Sequence, residues 1–203
     1  MKPPLLFLCH RIPYPPNKGD KIRSFHLLKH LSESYRIYLG TFIDDPGDWK
    51  YSKKLQSWCE QVCIKKLDPR QAKLRSLKGF LYVQPLTLPY YFDSSMSQWV
   101  MDIMNNEQIE HMLIYSSSMA QYILDPKFVS KNRIIDFVDV DSDKWRQYYS
   151  SSKIPLKWIY LRESILLARY EQKIFHHFDA CFFISQTEVD LFCQNNICKE
   201  KPL

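Results

Sequence analysis

Four glycines in 203 residues leave this chain few places for left-handed turns. None of them builds a GxGxxG run after an apolar segment, which argues against a dinucleotide domain of the dehydrogenase kind. The six cysteines form no CxxC pair: Cys9 and Cys181 fall in apolar runs, Cys59 and Cys63 are four apart, and Cys193 and Cys198 lie near the end. Reduced structural thiols are therefore expected in place of zinc sites or disulfides. No stretch approaches the ~18 consecutive apolar residues of a membrane span, and Pro3 and Pro4 after a single Lys make a poor signal peptide, so the expected location is the cytoplasm. Internal repeats and low-complexity tracts are missing too. His176 and His177 stand together without a third ligand nearby, and no metal site is expected.

What remains is an ordinary globular composition, 45% hydrophobic and 25% charged, enough for one sizeable core. The net charge of +6 favours anionic partners, but the basic and aromatic residues form no nucleic-acid reading motif, and no nucleic-acid partner is expected. Apolar runs alternate with helical patterns along the chain. Strand-like segments are expected at Leu5 to Cys9, Arg36 to Phe42, Val62 to Leu67, His111 to Ser117, Arg133 to Val140 and Ala180 to Ser185. Between them come a helix with Ile22, Phe25, Leu28 and Leu31 on one face, a polar helix from about Asp48 to Glu60, and a basic helix from about Arg70 to Leu81. Further helices are expected over Ser94 to Asn105, around Met119 to Leu124, and from Pro155 to Phe178. In the last, Ile159, Leu166, Tyr170, Ile174 and Phe178 mark the core face. Six strands alternating mostly with helices predict an α/β fold, a Rossmann-like parallel sheet with helices on both faces.

The passage between the first strand and the first helix carries the chemistry. Pro13, Pro15 and Pro16 stiffen it, Gly19 admits an unusual backbone conformation or a close approach of ligand, and His10, Arg11, Lys18, Lys21 and Arg23 crowd it with positive charge. Helix N-terminal amides add to this, so the loop suits a phosphorylated ligand with Gly19, Lys21 and Arg23 as its binders; a capped helix with solvated charges is the simpler alternative. Asp139, Asp141 and Asp143 follow the fifth strand at the same sheet edge, where they suit the hydroxyls of a ligand or, equally, turn and cap positions. The basic segment from Lys65 to Lys78 also carries Leu74, Leu77, Phe80, Leu81 and Tyr82, which suits an anionic bilayer surface met by Lys73, Arg75 and Lys78, or else an ordinary amphipathic helix.

The segments HRIPYPPNKGDKIRSFHLLKHL, IIDFVDVDSDKWRQY and ARYEQKIFHHFDACFFISQTEVDLF resemble the N-terminal half of glycosyltransferase family 4, most of all its branch associated with bacterial exosortase and exopolysaccharide systems. The resemblance covers nearly the whole chain. It implies a GT-B architecture and metal-independent, retaining transfer from a nucleotide-sugar, a substrate and not a cofactor, to a polysaccharide or lipid-linked glycan. By position, Gly19 corresponds to the family's glycine loop near the donor diphosphate. Ser116, Ser117 and Ser118 stand where many members place a histidine, so Ser117 is expected at the sugar. The family's C-terminal donor-binding domain has no counterpart after Ser185. Residues 1–203 are therefore expected to be a single acceptor-side domain, nearly inactive alone and peripheral on the inner face of the plasma membrane. A non-catalytic membrane-associating or scaffolding module is the alternative.

Overall fold

Five to eight residues of alternating inward-facing side chains define each long strand, and the alternation decides which core they enter. In β1 (Pro4–Cys9), Leu6 and Leu8 point to one face of the sheet, Leu5, Phe7 and Cys9 to the other. The structure, a computed structural model, describes residues 2–129 and 131–195. After β1 come α1 (Gly19–Ser32), β2 (Arg36–Ile43), a 3₁₀ run over Pro46–Ser57, and β3 (Gln61–Lys66). Four helices follow before the next strand: α2 (Pro69–Ser76), α3 (Lys78–Leu81), α4 (Thr87–Tyr90) and α5 (Ser94–Asn106). Then come β4 (His111–Tyr115), a 3₁₀ turn at Ser117–Tyr122, β5 (Asn132–Asp136), α6 (Asp141–Ser151), α7 (Leu156–His177), β6 (Ala180–Phe182) and α8 (Gln186–Asn195).

All six strands run parallel in the order β3-β2-β1-β4-β5-β6. That is the doubly wound, Rossmann-like order, and it reverses between β1 and β4, opening a crevice at their carboxyl ends. One core packs α5, α7 and α8 against Leu6, Leu8, Tyr38 and Ile114; the second packs α1 and the 3₁₀ run against Phe7, Ile37, Leu39 and Leu113. Helices thus cover both faces, as the alternation of segments predicts.

Three elements depart from the sequence pattern. The segment expected as an α-helix over 48–60 is a 3₁₀ run that starts earlier, at Pro46, with the Asp45 carboxylate accepting from the Gly47 amide. The basic helix is split after Ser76 into α2 and α3; past the split Arg162 of α7 donates to the Gly79 and Gln84 carbonyls, and a Cβ at Gly79 would come within 3.0 Å of the Gln84 oxygen. In α1 the buried stripe is Lys21, Ser24 and Leu28, while Ile22 is exposed. Cys9, Cys59 and Cys63 are free thiols as expected, but Cys193 is disulfide-bonded, which corrects the reduced-thiol expectation at that position; Cys198 lies outside the described residues.

Gly40 in β2 shows how tightly the sheet is packed. A Cβ there would stand 2.6 Å from Leu8 Cδ2 and 2.9 Å from the Met96 sulfur. Gly40→Ala is expected to lower stability by about 1–3 kcal/mol through overpacking, measured by urea unfolding. A loss below about 0.5 kcal/mol would mean that Met96, an adaptable side chain, yields without strain.

Candidate functional site

The crevice at the β1/β4 switch point is a polar cavity of about 390 Å³. β1 delivers His10 and Arg11 to it from the two positions after its last residue, and α1 adds Asp20. The segment after β4 adds Ser116 and Ser118, α4 and its end add Thr87 and Tyr91, and the passage from β5 into α6 adds Val138, Asp139, Asp141 and Lys144.

The first wall is an ion network. Arg11 forks onto Asp44, Nε to Oδ1 at 3.2 Å and Nη2 to Oδ2 at 2.9 Å, and its Nη1 reaches Asp20 Oδ2 at 2.8 Å. The same Asp20 oxygen stands 3.5 Å from His10 Nε2. Hydrogen bonding to His10, with the charges of Arg11 and His10, holds the Asp20 carboxyl well below the usual carboxylate range despite partial burial. His10 lies flat against Tyr115 and edge-on to Tyr91, centroids 6.0 Å away in each case, and its Nδ1 is buried with no hydrogen-bond partner. Buried polar atoms are normally paired, so this one marks a place the fold alone does not satisfy.

The opposite wall is strained. Ser116 has φ 85° and Val138 φ 68°, left-handed values that cost non-glycine residues about 1–3 kcal/mol each and that a β-branched side chain rarely adopts. Both line the crevice, and both are braced by Asp136 at the end of β5. Its carbonyl accepts from the Ser116 amide at 2.8 Å and its Oδ1 from the Val138 amide at 3.0 Å. Arg23 in turn grips Asp136 Oδ2 through Nε at 2.8 Å and Nη2 at 2.7 Å.

α7 organises the remaining wall. Its buried Glu163 accepts from the Leu86 and Thr87 amides and the Thr87 hydroxyl, at 2.7, 2.9 and 2.8 Å, and so fixes α4. Its buried Glu171 accepts from the Ser142 amide and hydroxyl, and Glu188 of α8 accepts from the Val140 amide. These two carboxylates occupy the first amides of α6 and leave the side chain of Asp141 for the crevice. Burial raises the Asp141 carboxyl, against the opposing hydrogen bond from Ser117 Oγ at 2.8 Å.

Measured against the sequence, Asp139 and Asp141 line the crevice as expected, whereas Ser117 is fully buried behind Asp141 and its neighbours Ser116 and Ser118, joined at 3.0 Å, face the cavity instead. Asp143 is turned away, bonded to Gln147 and Arg146. Gly19, Lys21 and Arg23 do not line it. Gly19 has an ordinary φ and open space around it, Lys21 is buried in an ion pair with Asp48, and Arg23 braces Asp136. Of the basic residues crowding this turn, Arg11, Lys21 and Arg23 each hold carboxylates. The crevice itself counts Arg11 and Lys144 against Asp20, Asp139 and Asp141, a balance that suits hydroxyls better than a bare phosphate. His10 and Arg11 are its central side chains, and their signal was position, directly after the first strand.

The basic segment divides as well. Lys73 and Lys78 are exposed, but Arg75 donates to the Pro89 and Tyr90 carbonyls, both at 2.8 Å, and ties α2 to α4. Among the described residues no helix is long and apolar enough to cross a membrane, and no three His, Cys, Asp or Glu side chains gather where a metal could bind. No family model, curated protein or solved structure matches the chain.

Proposed function

We propose that this chain is the acceptor-side domain of a metal-independent, retaining glycosyltransferase that moves a sugar from a nucleotide-sugar to a polysaccharide or lipid-linked glycan. The observation that carries the reading is the switch-point crevice, walled by hydroxyls and carboxylates and framed by two strained residues, Ser116 and Val138. The resemblance of the opening, the DFVDVDSDKW segment and the last helix-strand passage to glycosyltransferase family 4 supports the same class.

In this reading Asp139 and Asp141 accept hydrogen bonds from sugar hydroxyls, and Ser116 and Ser118 give or take them. A carboxyl whose proton affinity burial has raised, as in Asp141, accepts a stronger bond from an acceptor hydroxyl than a solvated one. Cleavage of a sugar-diphosphate bond leaves negative charge on the diphosphate and positive character on the sugar. Arg11, fixed by its two carboxylates, and the carboxylates facing it are arranged before either charge appears.

Ligand-observed NMR with oligosaccharides and nucleotide-sugars tests this. Saccharide signals should appear with the wild-type chain and weaken about tenfold with Asp141→Asn, which keeps the shape and removes the charge-assisted bonds. Saccharides that do not bind, or that bind the variant equally, would reject the crevice as a sugar site.

A further inference from the structure

A second face of the molecule combines exposed apolar side chains with charge of one sign. From Pro69 to Phe92 there is no carboxylate, and from Lys144 to His177 only Glu163 and Glu171, both fully buried. The same two stretches hold four and seven Lys or Arg residues. The stretches meet in space: the Arg162 guanidinium of α7 lies 4.7 Å over the Phe80 ring while donating to Gly79. Trp158 and Ile165, one turn to either side of Arg162 on α7, share its stripe.

Large apolar side chains stand out from this face. Leu81 is 79% exposed, Val83 and Ile154 72%, and Trp158 64%, with Leu74, Leu77, Tyr82 and Leu156 also exposed. Lys153 and Lys157 flank the Ile154–Leu156 turn that joins α6 to α7, and Lys73 and Lys78 flank Leu74 and Leu77. Between α3 and α7 runs a groove of about 760 Å³ with Lys78, Arg169 and Lys173 among its cations, and Tyr82, Val83 and Leu166 among its apolar walls.

We propose that this face, the Lys73–Val83 segment together with the Lys153–Trp158 turn, docks on an anionic lipid bilayer, with the groove between α3 and α7 receiving a headgroup phosphate. Aliphatic and Trp side chains enter the headgroup boundary while flanking lysines reach the phosphates, the division of labour of an interfacial surface. A second copy of the chain fits poorly, because a two-fold contact would set cations against their own equivalents. A nucleic acid satisfies the cations but gives Leu81, Val83, Ile154 and Leu156 nothing to bury against. The inference does not depend on what the switch-point crevice binds.

Vesicle co-sedimentation of the whole chain tests it. Vesicles of phosphatidylglycerol with phosphatidylcholine should carry the protein down, phosphatidylcholine alone about tenfold less, and added salt should release it. Lys73→Glu with Lys153→Glu, and separately Leu81→Ser with Trp158→Ser, should each cut binding by about tenfold without moving the thermal midpoint, since these side chains are solvent-facing. Equal binding to neutral vesicles, no binding to either kind, or unaltered binding by both variants would overturn the proposal. So would a stable dimer in light scattering that the Leu81→Ser, Trp158→Ser variant abolishes, because the face would then belong to a second copy.

Discussion

Asp48→Ala is expected to destabilise the chain by about 3–5 kcal/mol, a large share of what holds a domain of this size together. Lys21 reaches Asp48 across 27 residues of sequence, and both side chains are nearly inaccessible, at 2% and 9% exposure. Removing the carboxylate leaves an ammonium in the α1 interface with nothing to answer its charge. The expected result in urea is a lower midpoint with little change in slope, because the folded surface is the same. Replacing both partners together, Lys21→Met with Asp48→Leu, should recover most of the loss, since a well-packed apolar pair commonly matches a buried ion pair. If Asp48→Ala costs less than about 1 kcal/mol, the lysine finds water by a rotamer change and the pair is not a determinant of the α1 position.

The same pair explains why the opening of the chain was only partly legible. Its apolar run and its helical spacing placed β1 and α1 correctly, since those signals are local. Which residues of α1 turn inward was only partly local: Leu28 and Leu31 meet the core as their spacing indicates, but the inward stripe also takes in Ser24 and Lys21, the latter answered by Asp48, and leaves Ile22 exposed. The charge of the turn was incompletely legible for a related reason. A sequence shows cations at 11, 21 and 23 but not the carboxylates at 44, 48 and 136 that the fold brings to them.

A parallel sheet covered on both faces followed from the alternation of elements; its strand order, and the reversal between β1 and β4 that places the crevice, did not, because alternation alone is compatible with more than one doubly wound order. Residues just after strand ends were within reach all the same, Asp139 and Asp141 among them. The left-handed conformations of Ser116 and Val138 were not, because neither residue type announces a positive φ; bonds to Asp136, distant in sequence from Ser116, brace them there. Glu163 and Glu171 were hidden differently. On a helical wheel a glutamate reads as solvent-facing, yet both lie on the inward stripe of α7, where backbone amides of other segments await an acceptor.

Glu171 also makes the stability of the protein depend on pH. Burial, with the nearby charge of Asp141, pushes its carboxyl from 4.5 up to about 8, against the hydrogen bonds from Ser142. Between those two values the folded chain holds a proton that the unfolded chain has released, so stability must fall as pH rises from about 4.5 to about 8 and then level off. The whole fall attributable to this residue is on the order of a few kcal/mol. Asp141 is shifted in the same direction and adds to the slope, so the wild-type curve alone does not isolate Glu171. Glu171→Gln does: the amide oxygen still accepts from the Ser142 amide and the amide nitrogen donates to the hydroxyl, as a protonated carboxyl would. Its thermal midpoint should match wild type near pH 5 and exceed it near pH 9. Parallel curves for the two proteins would show that Glu171 stays ionised in the fold. The consequence reaches the crevice, because Ser142 follows Asp141 directly: charging Glu171 strengthens its bonds from the Ser142 amide and hydroxyl but sets a second buried negative charge beside Asp141 at the crevice wall.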